Sequence, residues 1–245
     1  MLARWVEDVP ARFTAVNRSG NNIPPGASHA TSASELDGRR FDAIIIGVKP
    51  QQIAEVLPDY ADLLAKDGCF LSIAAGFSVA SLQGVVGDRP IVRIMPNLPA
   101  LIGRGVNGLY ANERCDDGHR NLAGALAQST GLAIWLDTED EIDRITAVAG
   151  SGPGYVFEIL RSYIAAAEGM GFSPETARTL VLETMGGAVE MAARSDLSAE
   201  ELRNSVMSKK GTTQAGIDAL TRDGLVEELI ADATKAAYRR ACELR

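Results

Sequence analysis

Phe41-Asp42-Ala43-Ile44-Ile45-Ile46-Gly47-Val48 is a near-continuous apolar run, rich in isoleucine, that gives way to Lys49-Pro50. A strand with one wet face alternates polar and apolar residues. A run without alternation is buried on both faces, as in a parallel sheet covered by helices. Working outward, Phe13 to Val16, Cys69 to Ala75, Pro90 to Met95, Val106 to Ala111 and Ala133 to Leu136 read as further strands. Helix-like stretches at Gln51 to Lys66, Val79 to Val85 and Asp117 to Ser129 lie between them. Strands alternating with helices predict an α/β fold with a doubly wound parallel sheet.

After about Glu139 the pattern becomes helical only. Tyr155, Val156, Ile159, Leu160, Tyr163 and Ile164 recur at helical spacing. Ser173-Pro174 is an N-cap followed by proline at the first helical position, and Ser198 to Glu201 is a capping box. A last helix is predicted from about Leu225 to Leu244. The expected division is therefore a mixed domain over 1–139 and an all-helical domain over 140–245. The apolar stripes on these helices are core or partner-facing surface, and they predict a homodimer or larger assembly. Gly20 to Gly26 (GNNIPPG) reads as a surface turn.

Composition narrows the function classes. With 245 residues, 46% hydrophobic and 23% charged, the chain is long enough to bury a sizeable core. Its net charge of −8 and the lack of a basic, aromatic-interleaved stripe argue against nucleic acid as a partner. No apolar run is long enough to span a bilayer, and MLARWVEDVP carries no signal-peptide pattern, so neither a membrane partner nor secretion is expected. Cys69, Cys115 and Cys242 are odd in number and far apart, which suits a reducing, cytoplasmic setting. His29 and His119 stand alone and are read as surface residues, so no metal site is expected.

Doubly wound sheets bind ligands beyond the carboxyl ends of their strands. Asn17-Arg18-Ser19 follows one such strand. In dinucleotide folds an acid at this place binds a ribose 2′-hydroxyl, whereas an arginine accommodates a 2′-phosphate. Arg18 with no acid beside it predicts NADPH, with NADH as the second choice. Val48-Lys49-Pro50 and Ala75-Gly76 end two further strands and would bring backbone close to a cofactor. The chain is expected to lack a G-x-G-x-x-G. That turn belongs between a first strand and a first helix, in a βαβ unit of about 30 residues. MLARWVEDVP reads instead as the end of that first helix, and weak cofactor binding is the expected consequence.

In the helical half, Met207-Ser208-Lys209-Lys210-Gly211-Thr212-Thr213 opens a helix over Gln214 to Leu220. A small, hydroxyl-bearing turn at a helix start presents unpaired N–H groups and the positive end of the helix dipole, a receptor for a carboxylate. An ordinary N-cap has the same composition, and the turn alone does not separate the two.

VKPQ (Val48 to Gln51), RIMPNLPALIGRG (Arg93 to Gly105), AVAGSGPGYVFE (Ala147 to Glu158) and SKKGTTQAGIDAL (Ser208 to Leu220) occur in that order along the chain. With these segments the chain resembles the pyrroline-5-carboxylate reductases, from about Phe13 to its C-terminus. The resemblance implies a Rossmann-type domain, a helical dimerisation domain, and NAD(P)H-dependent reduction of 1-pyrroline-5-carboxylate to L-proline. It implies that Ser208, Gly211, Thr212 and Thr213 hold the substrate carboxylate and ring nitrogen. It likewise implies that Asn97, Lys49 and Pro50 line the nicotinamide, and that Glu139 and Asp196 are acids at or near the substrate. Three departures stand out. The glycine-rich turn is not read. Lys209 and Lys210 replace the Pro and Gly of the usual S-P-G-G-x-T. Ser34 stands where a cofactor-contacting Asn is common.

The implied chemistry needs placement more than strong acids. A cyclic imine can carry its own proton on nitrogen, and positioning alone can lower a barrier by up to about 7–11 kcal/mol. Thr213 is then an orienting partner and candidate proton donor. Two alternatives stay open: a reductase of another cyclic imino acid, with Lys209 and Lys210 recruiting a second carboxylate, and a non-catalytic paralogue that only dimerises.

Overall fold

The computed structural model describes residues 1–245. In chain order it begins with α1 (Leu2–Asp8), β1 (Thr14–Val16), β2 (Ser28–Ala30) and β3 (Phe41–Ile46). There follow α2 (Pro50–Val56), α3 (Pro58–Ala61), β4 (Leu64–Ser72), α4 (Val79–Val86) and β5 (Ile91–Met95). Then come β6 (Gly105–Ala111), α5 (Asp117–Gln128), β7 (Gly131–Trp135), α6 (Glu139–Ile145) and a single π-helical turn, Thr146–Gly150. The remainder is α7 (Gly152–Gly169), α8 (Pro174–Ala193), α9 (Ala199–Ser205), α10 (Thr212–Leu220) and α11 (Leu225–Leu244).

The chain divides into two compact units, residues 1–153 with 236–245, and residues 154–235. No strand follows Trp135. Even so, α6 stays with the sheet: Ile142 and Ala147 are buried, and Gly108 on β6 has no room for a Cβ against Ile145.

In the first unit β1 and β2 form a two-stranded parallel sheet, and β3-β4-β5-β6-β7 form a five-stranded one. β3, β4 and β5 are parallel neighbours, with Ile46 opposite Ser72 and Ser72 opposite Arg93. The sheet is not parallel throughout, because β6 pairs antiparallel with β5. The connection accounts for this. Only residues 96–104, with a 3-10 turn at Leu98–Ile102, join β5 to β6. A parallel crossover needs a dozen or more residues, so the chain can only double back. The helix expected over Gln51 to Lys66 is also shorter than read. Proline at 58 starts a new short helix, and Leu64 already pairs with Phe41 in the sheet.

Alternation along β4 shows that both faces are covered. Cys69 and Leu71 point to one side, where they meet Val92, Ile94, Leu109, Trp5 of α1 and Ala123, Leu126 and Ala127 of α5. Phe70 points to the other, with Ile46, Ile91, Ile53 and Leu57 of α2, and Val79, Leu82 and Val86 of α4. Each such aliphatic or aromatic side chain contributes about 1.5–3 kcal/mol on burial. The Trp5 indole N–H keeps a partner in that core, donating to Leu126 O at 3.0 Å.

Two sequence expectations are corrected here. A G-x-G-x-x-G string does occur, at Gly103-Arg104-Gly105-Val106-Asn107-Gly108. It runs from the end of a 3-10 turn into β6, the reverse of the strand-to-helix order that presents N–H groups to phosphate. Gly105 and Gly108 are needed for packing, since a Cβ would strike Ala100 or Ile145. His119 is not a surface residue but is buried in the capping box of α5. The Asp116 N–H donates to His119 Nδ1 at 3.1 Å, which leaves Nε2 to donate to Asp67 O at 3.1 Å.

The second unit is helical. α7 and α8 meet through Ala167, Ala177 and Val181, flanked by Leu160, Ile164 and Met185. Ser173 caps α8 and the Ser198–Glu201 box caps α9, as their sequences predict. Val156, Phe157, Ile159, Tyr163, Leu180, Val189, Leu229 and Ile230 remain exposed.

Candidate active site

The carboxyl ends of β3, β4 and β5 lie side by side in the first unit, as the parallel register requires. Gly47, Val48 and Lys49 leave β3 exposed; Lys49 is the N-cap of α2 and Pro50 its first residue. Proline fits there because that position has no intrahelical use for an N–H. Ala75 is exposed after β4, and Gly76 has φ +71°. The space beside Gly76 is already taken: a Cβ there would lie 2.7 Å from Leu244 Cβ. Packing of the C-terminal residues thus already uses the absence of a side chain at this position.

After β1, Asn17 shapes its own turn, with Oδ1 accepting from Gly20 N–H at 2.7 Å and O facing His29 Nε2 at 2.9 Å. Arg18 is exposed in this turn. Ser34 is exposed in the 3-10 turn after β2, 2.8 Å from Ser32 Oγ. The acid nearest in sequence, Glu35, is engaged by the Thr31 N–H and hydroxyl, which hold its carboxyl below the usual range.

Asn97 follows β5, and both ends of its amide are used. Nδ2 donates to Ala149 O at 3.0 Å, and Oδ1 accepts from Val106 N–H at 2.9 Å. The carbonyl it satisfies belongs to the π turn, whose wider i→i+5 ladder is marked by Ser151 N–H to Thr146 O at 2.8 Å. Such single π turns occur often at functional sites. Glu139 does not stand free either. Its Oε1 accepts from the buried Arg93 Nη1 at 2.8 Å and from the Val79 N–H at 2.7 Å. One turn on, Asp143 is buried beside Arg245, 3.2 Å from Nη1. Burial raises its carboxyl above the usual range, against the opposing pull of Arg245 and Arg93.

The second unit holds Asp196, Ser208, Gly211, Thr212 and Thr213. Asp196 is exposed in the bend between α8 and α9. Gly211 N–H donates to Ser208 O at 2.8 Å, which closes a turn whose third residue, Lys210, has φ +63°. A Cβ on residue 211 would overlap Ser208 Oγ. Gly211 is also the N-cap of α10, and no side chain caps this helix. Its first N–H groups, from Thr212 on, therefore have no intrahelical acceptor and no side-chain cap. Ser208, Thr212 and Thr213 are all exposed there.

The Pyrroline-5-carboxylate reductase dimerisation family model matches residues 139–244. The pyrroline-5-carboxylate reductase of Pseudomonas aeruginosa is 43% identical over 204 residues, 83% of this chain and 74% of that protein. The chain belongs to the pyrroline-5-carboxylate reductase family. The Haemophilus influenzae member is 33% identical over 218 residues, covering 88% and 80% of the two chains. Among solved structures, a pyrroline-5-carboxylate reductase from Coxiella burnetii superposes with a TM-score of 0.88 at 34% identity, over 99% of this chain and 93% of that one. The Plasmodium falciparum pyrroline carboxylate reductase, solved with NADP bound, gives 0.87 at 27% identity, over 99% and 92%. Membership makes this an oxidoreductase fold of the NAD(P)H-dependent, Rossmann-type kind. No helix is long and apolar enough to cross a membrane.

Sequence reading missed Arg93 and the π turn. An arginine inside an apolar strand was the one available signal, since a buried cation demands a partner.

Proposed function

We propose that this protein reduces 1-pyrroline-5-carboxylate to L-proline with NADPH, in a cytoplasmic homo-oligomer. The observation that carries the reading is the Ser208–Thr213 turn. Its helix begins on a glycine and so keeps its leading N–H donors open. Those donors, the Ser208 hydroxyl and the dipole of α10 bind and orient the substrate carboxylate. Thr213 holds the ring nitrogen and donates a hydrogen bond to it. Asp196 adds an acid near the substrate.

Arg18, Val48, Lys49, Pro50, Ala75 and Asn97 would hold the cofactor, with Arg18 on the 2′-phosphate and Asn17 and Ser34 shaping its surroundings. NADPH, when bound, supplies the hydride for the imine carbon. The chain's own part is binding, alignment and exclusion of water, which suits a site with no histidine or free thiol in it. Cys69, Cys115 and Cys242 are all free, in keeping with a reducing compartment.

The test is NADPH oxidation on addition of 1-pyrroline-5-carboxylate, run beside six-membered and dicarboxylic cyclic imines. Thr213→Val should lower kcat at least tenfold while the protein still binds proline. Turnover of another imine in preference to the five-membered ring would overturn the substrate assignment. Oligomers without any turnover would mark a non-catalytic member.

A further inference from the structure

Arg93 is the largest fully buried side chain of the protein, and its ion-pair partner is Glu139. It projects from β5 onto the sheet face covered by α4, opposite Ser72, the last residue of β4. Its Nη1 donates to Glu139 Oε1 at 2.8 Å, and the same oxygen accepts from the Val79 N–H at 2.7 Å. Val79 is the first residue of α4, and Ser78 caps that helix by accepting from Ser81 N–H at 3.1 Å. The turn from Ala75 to Ser78, which leads from β4 into α4, is therefore fixed at its far end by a carboxylate brought from sixty residues away. At Gly76 it is fixed by Leu244.

A carboxylate at the start of a helix is favoured by the helix dipole, but Glu139 is mostly out of water. Without its cation it would be a partly desolvated charge and would turn outward to water. That movement releases the Val79 N–H. We infer that Arg93 is a positioning residue: by neutralising Glu139 it locks the Ala75–Ser78 turn in the shape that receives the nicotinamide cofactor. For the identity of that ligand the inference rests on the reductase reading; for the turn it rests on the Arg93–Glu139–Val79 chain alone.

Two measurements on the full chain separate these. Hydrogen exchange reads the turn directly. Arg93→Met should speed exchange at Val79 and through residues 76–81 at least tenfold, with α8 and α10 unchanged, and Arg93→Lys should restore most of the protection. Cofactor titration and steady-state kinetics read the consequence. Arg93→Met should raise Kd and KM for NADPH at least tenfold, with kcat at saturating NADPH and KM for the imine within twofold of wild type. If Arg93→Met does not fold, Arg93→Gln serves for the exchange measurement, since it removes the charge and keeps a polar group in the pocket. Unchanged exchange in the turn, or faster exchange with unaltered NADPH affinity, overturns the inference. Wild-type protein that binds no NADPH overturns the reductase reading instead, and the exchange result still decides whether Arg93 holds the turn.

Discussion

Gly211 and Ser208 fit together only because residue 211 has no side chain. The Gly211 N–H reaches Ser208 O at 2.8 Å, and a Cβ would occupy the place of the Ser208 hydroxyl. Gly211→Ala must therefore push that hydroxyl out of the turn. The expected outcome is a rise of at least tenfold in KM for the imine acid, with Kd for NADPH unchanged. Parallel changes in both constants would mean that the turn does not serve the substrate.

Lys210 adopts φ +63°, the left-handed region that disfavours a side chain. Such a conformation costs an L-residue about 1–2 kcal/mol, partly offset by the extra freedom glycine brings to the unfolded chain. Lys210→Gly is expected to stabilise the protein by about 1 kcal/mol, a Tm rise of about 2–4 °C for a chain of this size. Calorimetry of the two proteins checks it, and a lower Tm for the glycine variant would refute it.

What the sequence made legible follows from which forces are local. β3 was readable because Ile44, Ile45 and Ile46 have no polar interruption, and the caps of α8 and α9 because capping acts within four residues. β2 was not, since Ser28, His29 and Ala30 carry no apolar signature and are a strand only through their pairing with Thr14 to Val16. The direction of β6 depended on the length of a connection and escaped a reading based on periodicity. The Ser208–Thr213 turn was visible in composition, and its left-handed residue, Lys210, stands where the family usually has the glycine that suits that conformation. Glu139 read as a site acid through the family resemblance, while its pairing with Arg93, 46 residues away in sequence, was not visible. Long-range ion pairs leave no periodic trace.

Cys69 sits at the centre of the sheet, and burial pushes its thiol up to about 12, with smaller contributions from Cys115 and Asp116. At pH 8 the folded thiolate fraction is then about 10⁻⁴, against roughly a quarter for an ordinary thiol of pKa about 8.5. Iodoacetamide should leave Cys69 unmodified in the native protein between pH 7 and 9 and label it fully after denaturation. The linkage has a definite sign. Below about 8.5 both states keep the proton, and above it only the unfolded chain loses it. This thiol therefore makes stability fall as pH rises from there toward 12. Peptide mapping that finds native labelling with a midpoint near 8.5 would contradict the burial argument.

Arg18 is exposed beyond β1, and Glu35 in the turn after β2 is bound to Thr31. Arg18→Ala should weaken NADPH binding at least tenfold, as expected for the loss of a charge-assisted contact worth about 1.5–3 kcal/mol. NADH binding should change less than twofold. Equal losses for both cofactors, measured by fluorescence titration, would place Arg18 away from the 2′-phosphate.

The second unit, residues 154–235, fully buries only Ala167, Ala177 and Val181. Two alanines and a valine contribute too little to offset the conformational entropy of so many ordered residues. Meanwhile Phe157, Ile159 and Tyr163 on α7, Leu180 and Val189 on α8, and Val226, Leu229 and Ile230 on α11 face outward. An apolar surface of that extent on a small helical unit is expected to be covered in a subunit interface. The match to a dimerisation family over residues 139–244 points to a second copy of the same chain as the partner. Light scattering at micromolar concentration should return at least twice the 25.9 kDa chain mass. Leu229→Glu should shift the mass toward the monomer, lower the Tm, and make the Tm rise with protein concentration. A wild-type mass of one chain, with a Tm that does not depend on concentration, would show that these helices are stable uncovered.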